Sequence, residues 1–306
     1  MAFTMLPFTG MDSFARTDYS MDDYDEIVST YSIDKSIVGY TTYVSQFEQS
    51  YPEDTLTVGA EAVVRYDEGD KAADPVIYTD YEGMQGDSVY TSENSLVEFE
   101  VEVQQEGFYN LSLVYYPIAG KNSDIERSIF IDGELPYKEM ASIDFYRIWR
   151  FDLEEDNLNA NGSATYHWEK DNQGNDLKPS PIEQPEWCTH GLYDTNGSEG
   201  YVTSPLAVYL TKGTHTITML SLREPMLINK IVLSNASSAK SYADTKAEQD
   251  AKGATVTSGH KITIEGENAT RTSSQMLYPT QDQSSPSVSP SSAKELLNNT
   301  IGGNSW

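Results

Sequence analysis

Hydrophobic and polar positions change their spacing twice along this chain of 306 residues. Over residues 22–51, DDYDEIVSTYSIDKSIVGYTTYVSQFEQSY, apolar side chains stand at Ile27, Val28, Tyr31, Ile37, Val38, Tyr43 and Phe47, mostly three, four or seven apart. That spacing lines one face of a coil with 3.6 residues per turn and predicts one or two amphipathic helices. Asp22 and Asp23 suit the helix start, where the macrodipole favours acids, and Pro52 ends the segment.

From residue 56 to 235 the period falls to two. In LVEFEVEV, Val97, Phe99, Val101 and Val103 alternate with Glu98, Glu100 and Glu102, which predicts a half-buried strand with an acidic outer face. EGFYNLSLVYYP turns at Gly107 and continues with Tyr109, Leu111, Leu113 and Tyr115 on one face. RSIFIDGELP is a strand closed by Asp132-Gly133, a hairpin-type turn signal. SPLAVYLTKGTHTITMLSL reads as two strands about Lys212-Gly213, and MLINKIVLSN as a last apolar strand. Short strands with Gly-bearing turns and no helical period between them predict a mainly β, antiparallel sandwich.

Residues 236–253, ASSAKSYADTKAEQDAKG, predict a solvated connecting helix closed by Gly253. HKITIEGENATRTSSQML then opens a new strand-like unit, followed by a Ser- and Pro-rich stretch. TVGAEAVVRYDEGD (57–70) and TIEGENATRTSSQM (263–276) both set a Glu and an Ala in an opening strand before a polar arm, as a repeat would. The predicted organisation is a disordered or vector-derived N-terminus (1–21), an amphipathic helical segment (22–53), a β-sandwich (54–236), a linker helix (237–255) and the truncated beginning of a second such module (256–306).

One stretch breaks the β pattern. KDNQGNDLKPSPIEQPEWCTHGLYD (170–194) has neither period, three prolines, and the chain's single cysteine, Cys188. It reads either as a binding face or as a fixed interdomain support.

Charge narrows the partners. Against 48 acids there are 20 lysines and arginines, a formal net charge of −28, so the chain repels phosphate backbones and anionic bilayers. Nucleic acid is excluded as a partner class, and no run of about 18 apolar residues encodes a membrane span. Cys188 has no second cysteine to bridge. The opening MAFTMLPFTGMDSFARTD has no apolar core before a small-residue cleavage site, so no signal peptide is expected in it. Twenty-one tyrosines with abundant Ser, Thr, Asn and Gly match the composition of extracellular β-proteins that bind polar ligands.

VEFEVEVQQEGFYNLSLVYYP, RSIFIDGELP and YLTKGTHTITMLSLREPMLINKIVL, in that order, resemble the galactose-binding-like jelly roll of many carbohydrate-binding modules. GKNSDIERSIFIDGELPY, DNQGNDLKPSPIEQPEW, REPMLI, SSQMLYPTQDQSSP and NTIGGNSW further resemble the N-terminal region of large extracellular solute-binding lipoproteins of Gram-positive carbohydrate ABC importers. That resemblance implies a cell-surface location, a downstream solute-binding domain in the same polypeptide, and an importer as partner. The solute-binding domain itself is absent, so capture of a transported solute is not assigned to these residues.

Sugar sites combine aromatic rings that stack on apolar sugar faces with planar polar groups that fix hydroxyls. On that chemistry the candidates are Tyr116 at a strand end before Pro117, Tyr146, Arg147 and Trp149 in DFYRIWRF, and Asn175, Asp176 and Trp187 in the proline-stiffened loop. Trp149, in an apolar-aromatic run, reads more readily as core, Tyr115 as buried, and Trp187 equally as loop anchor or platform. Asp124, Glu126 and Arg127 read as a buried ion pair or as a ligand edge, with the structural role ahead. The jelly-roll resemblance implies a structural calcium on an opening-strand Glu and a closing-strand Asp; Glu61 matches the first, and Asn229 stands in the second place. No His/Cys spacing supports zinc. No nucleophile-base arrangement stands out among four histidines, so a binding module is expected rather than an enzyme, with a non-binding spacer as alternative and a glycoside-active enzyme as a remote one.

Overall fold

The structure, a computed structural model, describes residues 20–30, 37–151, 172–174, 181–194, 204–235, 241–255, 259, 271–273, 300–301 and 304–305. Along the chain run α1 (Met21–Thr30), α2 (Tyr40–Val44), β1 (Leu56–Gly59), β2 (Val63–Glu68), β3 (Lys71–Ala72), β4 (Ile77–Thr79), β5 (Asp87–Thr91), β6 (Ser95–Val103), β7 (Gly107–Pro117), β8 (Ile125–Ile131), β9 (Ile143–Phe145), β10 (Trp149–Phe151), β11 (Pro181–Glu183), β12 (Cys188–Gly191), β13 (Ala207–Leu210), β14 (Gly213–Arg223), β15 (Met226–Ser234), α3 (Tyr242–Ala251), β16 (Thr300–Ile301) and β17 (Asn304–Ser305). None of the described helices is long and apolar enough to cross a membrane. The chain divides into two compact units, one of residues 1–115, 126–144 and 188–235, the other of 116–125, 145–187 and 236–306.

The first unit is the predicted mainly β, jelly-roll sandwich. One sheet runs β12-β7-β15-β5-β4, with β1 also on β15 and β13 also on β7; the other runs β3-β2-β6-β14-β8-β9. Alternation sets the core: Val97, Phe99, Val101 and Val103 are buried, as are Tyr109, Leu111, Leu113 and Tyr115. Each such side chain is worth about 1.5–3 kcal/mol of burial. Directly paired residues share a face, so Ile217 and Met219 join Phe99 and Val97.

The turns follow their chemistry. Asp132 and Gly133 both take positive φ, at 53° and 80°, and Glu134 N donates to Ile131 O at 2.9 Å, closing the hairpin as predicted. Gly107 is needed for close approach: at φ 151°, an added Cβ would stand 2.6 Å from Pro52 Cδ and 2.7 Å from Ser50 O. Phe108 N donates to that same Ser50 carbonyl, which ties the chain before β1 to the start of β7.

The N-terminal segment supplies two helices, as the spacing predicts. Ser20 and Asp23 cap α1 reciprocally, Asp23 N donating to Ser20 Oγ and Ser20 N to Asp23 Oδ2. Met21 and Tyr24 pack on Leu96, Phe130 and Leu220, with Ile27 and Val28 beside them. Leu96 lies between Ser95 and Val97 on β6, on the same face as Glu98, so α1 covers part of the face opposite the core. The expectation of three solvated glutamates is therefore corrected at Glu98, which is buried and accepts from Thr218 Oγ1 at 3.1 Å. Glu100 and Glu102 are exposed. Tyr43 on α2 packs on the buried Tyr137 (4.9 Å), and just after α2 Phe47 stacks on Tyr209 (4.5 Å, 13°).

In the second unit, α3 is solvated throughout, as expected. Ser241 caps its start, and Gly253, at φ 82°, ends it: Ala254 N donates to Gln249 O and Gly253 N to Asp250 O. Most of 256–306, the expected second module, lies outside the described residues, as does nearly all of 1–21.

Candidate functional site

In the second unit, residues 181–187 of the proline-stiffened loop and residues 145–151 form one assembly. β10 and β11 pair antiparallel with Trp149 opposite Glu183, Arg150 opposite Ile182 and Phe151 opposite Pro181, and Gln184 N donates to Ile148 O at 2.8 Å. Pro181 sits at a strand end, where its missing N–H costs no ladder bond. Behind this hairpin the Arg147 guanidinium is fully buried. Its Nε donates to Ser123 O at 2.8 Å, Nη1 and Nη2 to Ile118 O at 3.1 Å, and Nη1 to Glu183 Oε1 at 2.5 Å. A planar fork of five donors fits such a set of carbonyls and one carboxylate, which an ammonium does not.

This framework carries Trp187. The indole is half-buried and packs on Tyr116, ring centroids 5.4 Å apart at 58°. Tyr116 in turn donates its hydroxyl to Pro185 O at 3.2 Å, fastening the proline segment to the strand end. In the first unit, Cys188 stands opposite Tyr115 on β12 and β7.

The sequence candidates thus separate by burial. Trp187 and Tyr146 are half-buried and keep surface; Tyr116 is 9% exposed and meets Trp187 from behind. Direct ligand contact is corrected at Arg147, which at 0% exposure is framework, and of the two readings of Trp149 its 4% exposure fits core rather than ligand platform. Arg147 is held by partners from residues 118, 123 and 183, and the Trp149 backbone is bridged on both sides, to Glu183 on β11 and to a second neighbour. Its second neighbour is Thr272, with Trp149 N donating to Thr272 O at 2.8 Å and Thr272 N to Trp149 O at 2.9 Å. Asn175 and Asp176 lie outside the described residues. Beside the loop, Arg271 pairs with Glu186 at 2.8 Å.

The structural reading of the other charge cluster fits what is seen. Arg127 is buried and donates to the carbonyls of Glu126, Arg223 and Glu224 and to Thr91 Oγ1, at 2.8–3.0 Å. Glu126 pairs with Arg223 at 3.1 Å. Asp124 is exposed.

For calcium, the donors can be inspected directly. The exposed Glu61 folds its carboxylate back over Gly59, where an added Cβ would stand 2.3 Å from Oε2. Asn229 is buried and its Nδ2 donates to Asp87 O and Ser88 Oγ, both at 3.2 Å. Among the described residues no three His, Cys, Asp or Glu side chains converge on a metal position. One carboxylate and one amide fall short of the six to eight oxygens that Ca²⁺ takes, so backbone carbonyls would have to supply the rest.

A second aromatic group escaped the sequence reading. Tyr78 on β4 is 39% exposed, with Val76 and Ile77 exposed beside it. Its ring stands at 83° to Tyr81, centroids 5.4 Å apart, and 6.3 Å from Tyr90. The signal was the cluster VIYTDYEG, whose three-residue strand is too short for a period to show.

No protein-family model matches the chain, and no curated protein matches it. Solved structures do. A β-(1,4)-mannanase of Podospora anserina joining a GH26 and a CBM35 domain matches at 14% identity and TM-score 0.32, over 62% of this chain and 29% of that one. A family 35 carbohydrate-binding module from Clostridium thermocellum matches at 14% and 0.33, over 60% and 99%. The CBM35 from Cellvibrio japonicus Abf62 matches at 12% and 0.34, over 60% and 95%. Likenesses at such scores carry nothing about the ligand of this chain.

Proposed function

We propose that this chain is an extracellular, non-catalytic carbohydrate-binding-type module, with Trp187 as the ring on which a sugar stacks. The observation that carries the reading is the mounting of that ring: half-exposed, backed by Tyr116 at 5.4 Å, and held by a hairpin whose Arg147 is fully buried. A rigid aromatic loses little entropy on stacking, which is what weak sugar contacts need. Among the described residues, the acids next to Trp187 support binding over hydrolysis, since Glu183 is engaged by Arg147 and Glu186 by Arg271. A glycosidase needs a free acid and a second carboxylate across the bond. Calcium held by Glu61, Asn229 and backbone carbonyls belongs to the same proposal as a structural ion. Membership in an importer's solute-binding lipoprotein, with a downstream binding domain in the same polypeptide, has its support in the loop motifs of the sequence alone.

The spacer reading has its own observation. Thr272 pairs with Trp149 and Arg271 with Glu186, so the chain beyond α3 bonds to the hairpin that carries Trp187. A construction that holds its own downstream segment is what a fixed support requires.

A glycan array with the whole chain separates the two. Binding that Trp187→Ala removes, with the unfolding transition preserved, is the expected result. Silence across plant, fungal and bacterial glycans from folded protein would leave the spacer reading in its place.

A further inference from the structure

The β4–β5 hairpin, in the sandwich unit, carries exposed rings on an edge strand, and a loop held in an unusual backbone state. β4 ends its sheet, paired only to β5 with Tyr78 opposite Ser88 and Thr79 opposite Asp87. Between the strands, Asp80 (φ 51°) and Glu82 (φ 46°) take the left-handed conformation that a side chain disfavours, beside Gly83 (79°) and Gly86 (88°). The loop is nevertheless tightly closed. Asp80 N donates to Gly86 O at 2.9 Å, Gly86 N to Asp80 Oδ1 at 2.8 Å, and Thr79 Oγ1 to Asp87 Oδ1 at 2.5 Å. Non-glycine residues kept in that region are over-determined by their surroundings, and such positions concentrate at ligand clamps.

What the loop presents is a corner. Tyr78 and Tyr81 stand nearly perpendicular at 5.4 Å, one ring offering a face and the other a wall. Glu82 is exposed on the seven-residue turn 80–86, and Asp87 is exposed at the start of β5 that follows it. Carboxylates are acceptor-only groups with four lone-pair sites, suited to the hydroxyls at a sugar's rim, while the ring faces suit its axial C–H surface. With a chain charge of −28 and acids at the rim, a uronate or sulfated sugar is repelled.

We propose that the Tyr78–Tyr81 corner is a second saccharide site, separate from Trp187, that takes an uncharged sugar by stacking on Tyr78 with Glu82 and Asp87 accepting from its hydroxyls. It rests on the carbohydrate-binding reading for its ligand class and on its own residues for its place.

Isothermal titration of the whole chain with uncharged hexasaccharides of glucose, mannose, galactose and xylose, and with hexagalacturonate, tests it. Expected is binding of at least one neutral hexasaccharide that Tyr78→Ala or Tyr81→Ala weakens tenfold or more while Trp187→Ala leaves that component in place. Both tyrosines keep surface, and matching urea midpoints show that the variants fold; should one fail, the other carries the test. Glu82→Gly releases the strained backbone, so its unfolding midpoint rises while its neutral-sugar affinity falls. Neutral binding that vanishes with Trp187→Ala but ignores both tyrosines overturns this site and spares the first. No binding by any hexasaccharide overturns both. Hexagalacturonate binding as tightly as the neutral sugars overturns the ligand class. A concentration-dependent dimer in sedimentation that Tyr78→Ala abolishes makes the corner an interface between copies and overturns the site.

Discussion

His215 on β14 donates from Nδ1 to Asp132 Oδ2 at 2.7 Å, linking that strand to the Asp132-Gly133 turn. Its Nε2 meets Thr211 O at 2.9 Å. A carboxylate and a carbonyl both accept, so the imidazolium, with two donors, is satisfied there, while the Thr211 hydroxyl, 3.3 Å from Nε2, can serve the neutral ring. Burial pulls the His215 pKa down, but the Asp132 hydrogen bond and charge, with Thr211 O and Glu102, outweigh it and raise it above 6.5. The sign follows: a raised folded-state pKa contributes stability that is full below the unfolded value near 6.5 and is lost as pH rises through the folded one. Asp132 is half exposed, so the effect is modest. Asp132→Asn, which tolerates positive φ, is expected to cost about 1 kcal/mol at pH 5.5 and less at pH 8.5. Urea unfolding of both proteins across that range reads the difference; a gap independent of pH would mean that His215 is not the group involved.

Arg147 offers a harsher substitution. Arg147→Ala leaves Glu183 and the carbonyls of Ile118 and Ser123 without their buried donor. Removing one partner of a buried pair costs about 3–5 kcal/mol. Arg147→Lys recovers little, because one ammonium cannot serve that planar set of acceptors. Near-UV circular dichroism should lose the signal of the Trp187–Tyr116 pair in both variants. Retention of that signal in Arg147→Ala would show that the tryptophan is held by Tyr116 and the prolines alone.

The α1 contact predicts a local effect. Tyr24 is 1% exposed and lies 4.5 Å from Phe130. Deleting the ring from that packing costs about 3 kcal/mol. Because α1 adds to the outside of a sheet with its own core, the loss should appear as helix undocking rather than global unfolding. Hydrogen exchange of Tyr24→Ala is expected to accelerate through α1 with β6 and β14 unchanged. Equal acceleration in those strands would make α1 part of the cooperative core.

What the sequence disclosed follows the range of the interactions. β6, β7, β14 and β15 could be read because alternation is local, and the Asp132-Gly133 turn because both residues are chemically suited to positive φ. Glu98 could not: its burial depends on a helix some 70 residues earlier and on Thr218 across the sheet. Trp149 could be read as core from its apolar-aromatic run, whereas Arg147 shows as framework only through its partners from residues 118, 123 and 183. The loop's two readings, binding face and support, persist in the fold because Trp187 keeps surface while Thr272 and Arg271 bond beside it.

Calcium can be tested without deleting a ligand. Gly59 has an ordinary extended backbone (φ −104°), so alanine fits there conformationally. Its Cβ would fall 2.3 Å from Glu61 Oε2 and 2.9 Å from Cδ, which forces the carboxylate out of its present position. Gly59 is buried, but the three atoms nearest the added Cβ all belong to the carboxylate of the exposed Glu61, which can swing away, so in chelator Gly59→Ala should still fold and melt close to wild type. Added calcium binds only the folded state and raises Tm by mass action if the site exists. The expected pattern is a calcium-dependent rise in wild type that Gly59→Ala abolishes and Asn229→Asp enlarges, since a second carboxylate raises the charge that a hard cation prefers. A wild-type Tm that ignores millimolar calcium removes the ion from the proposal and leaves Glu61 as a surface carboxylate over a glycine.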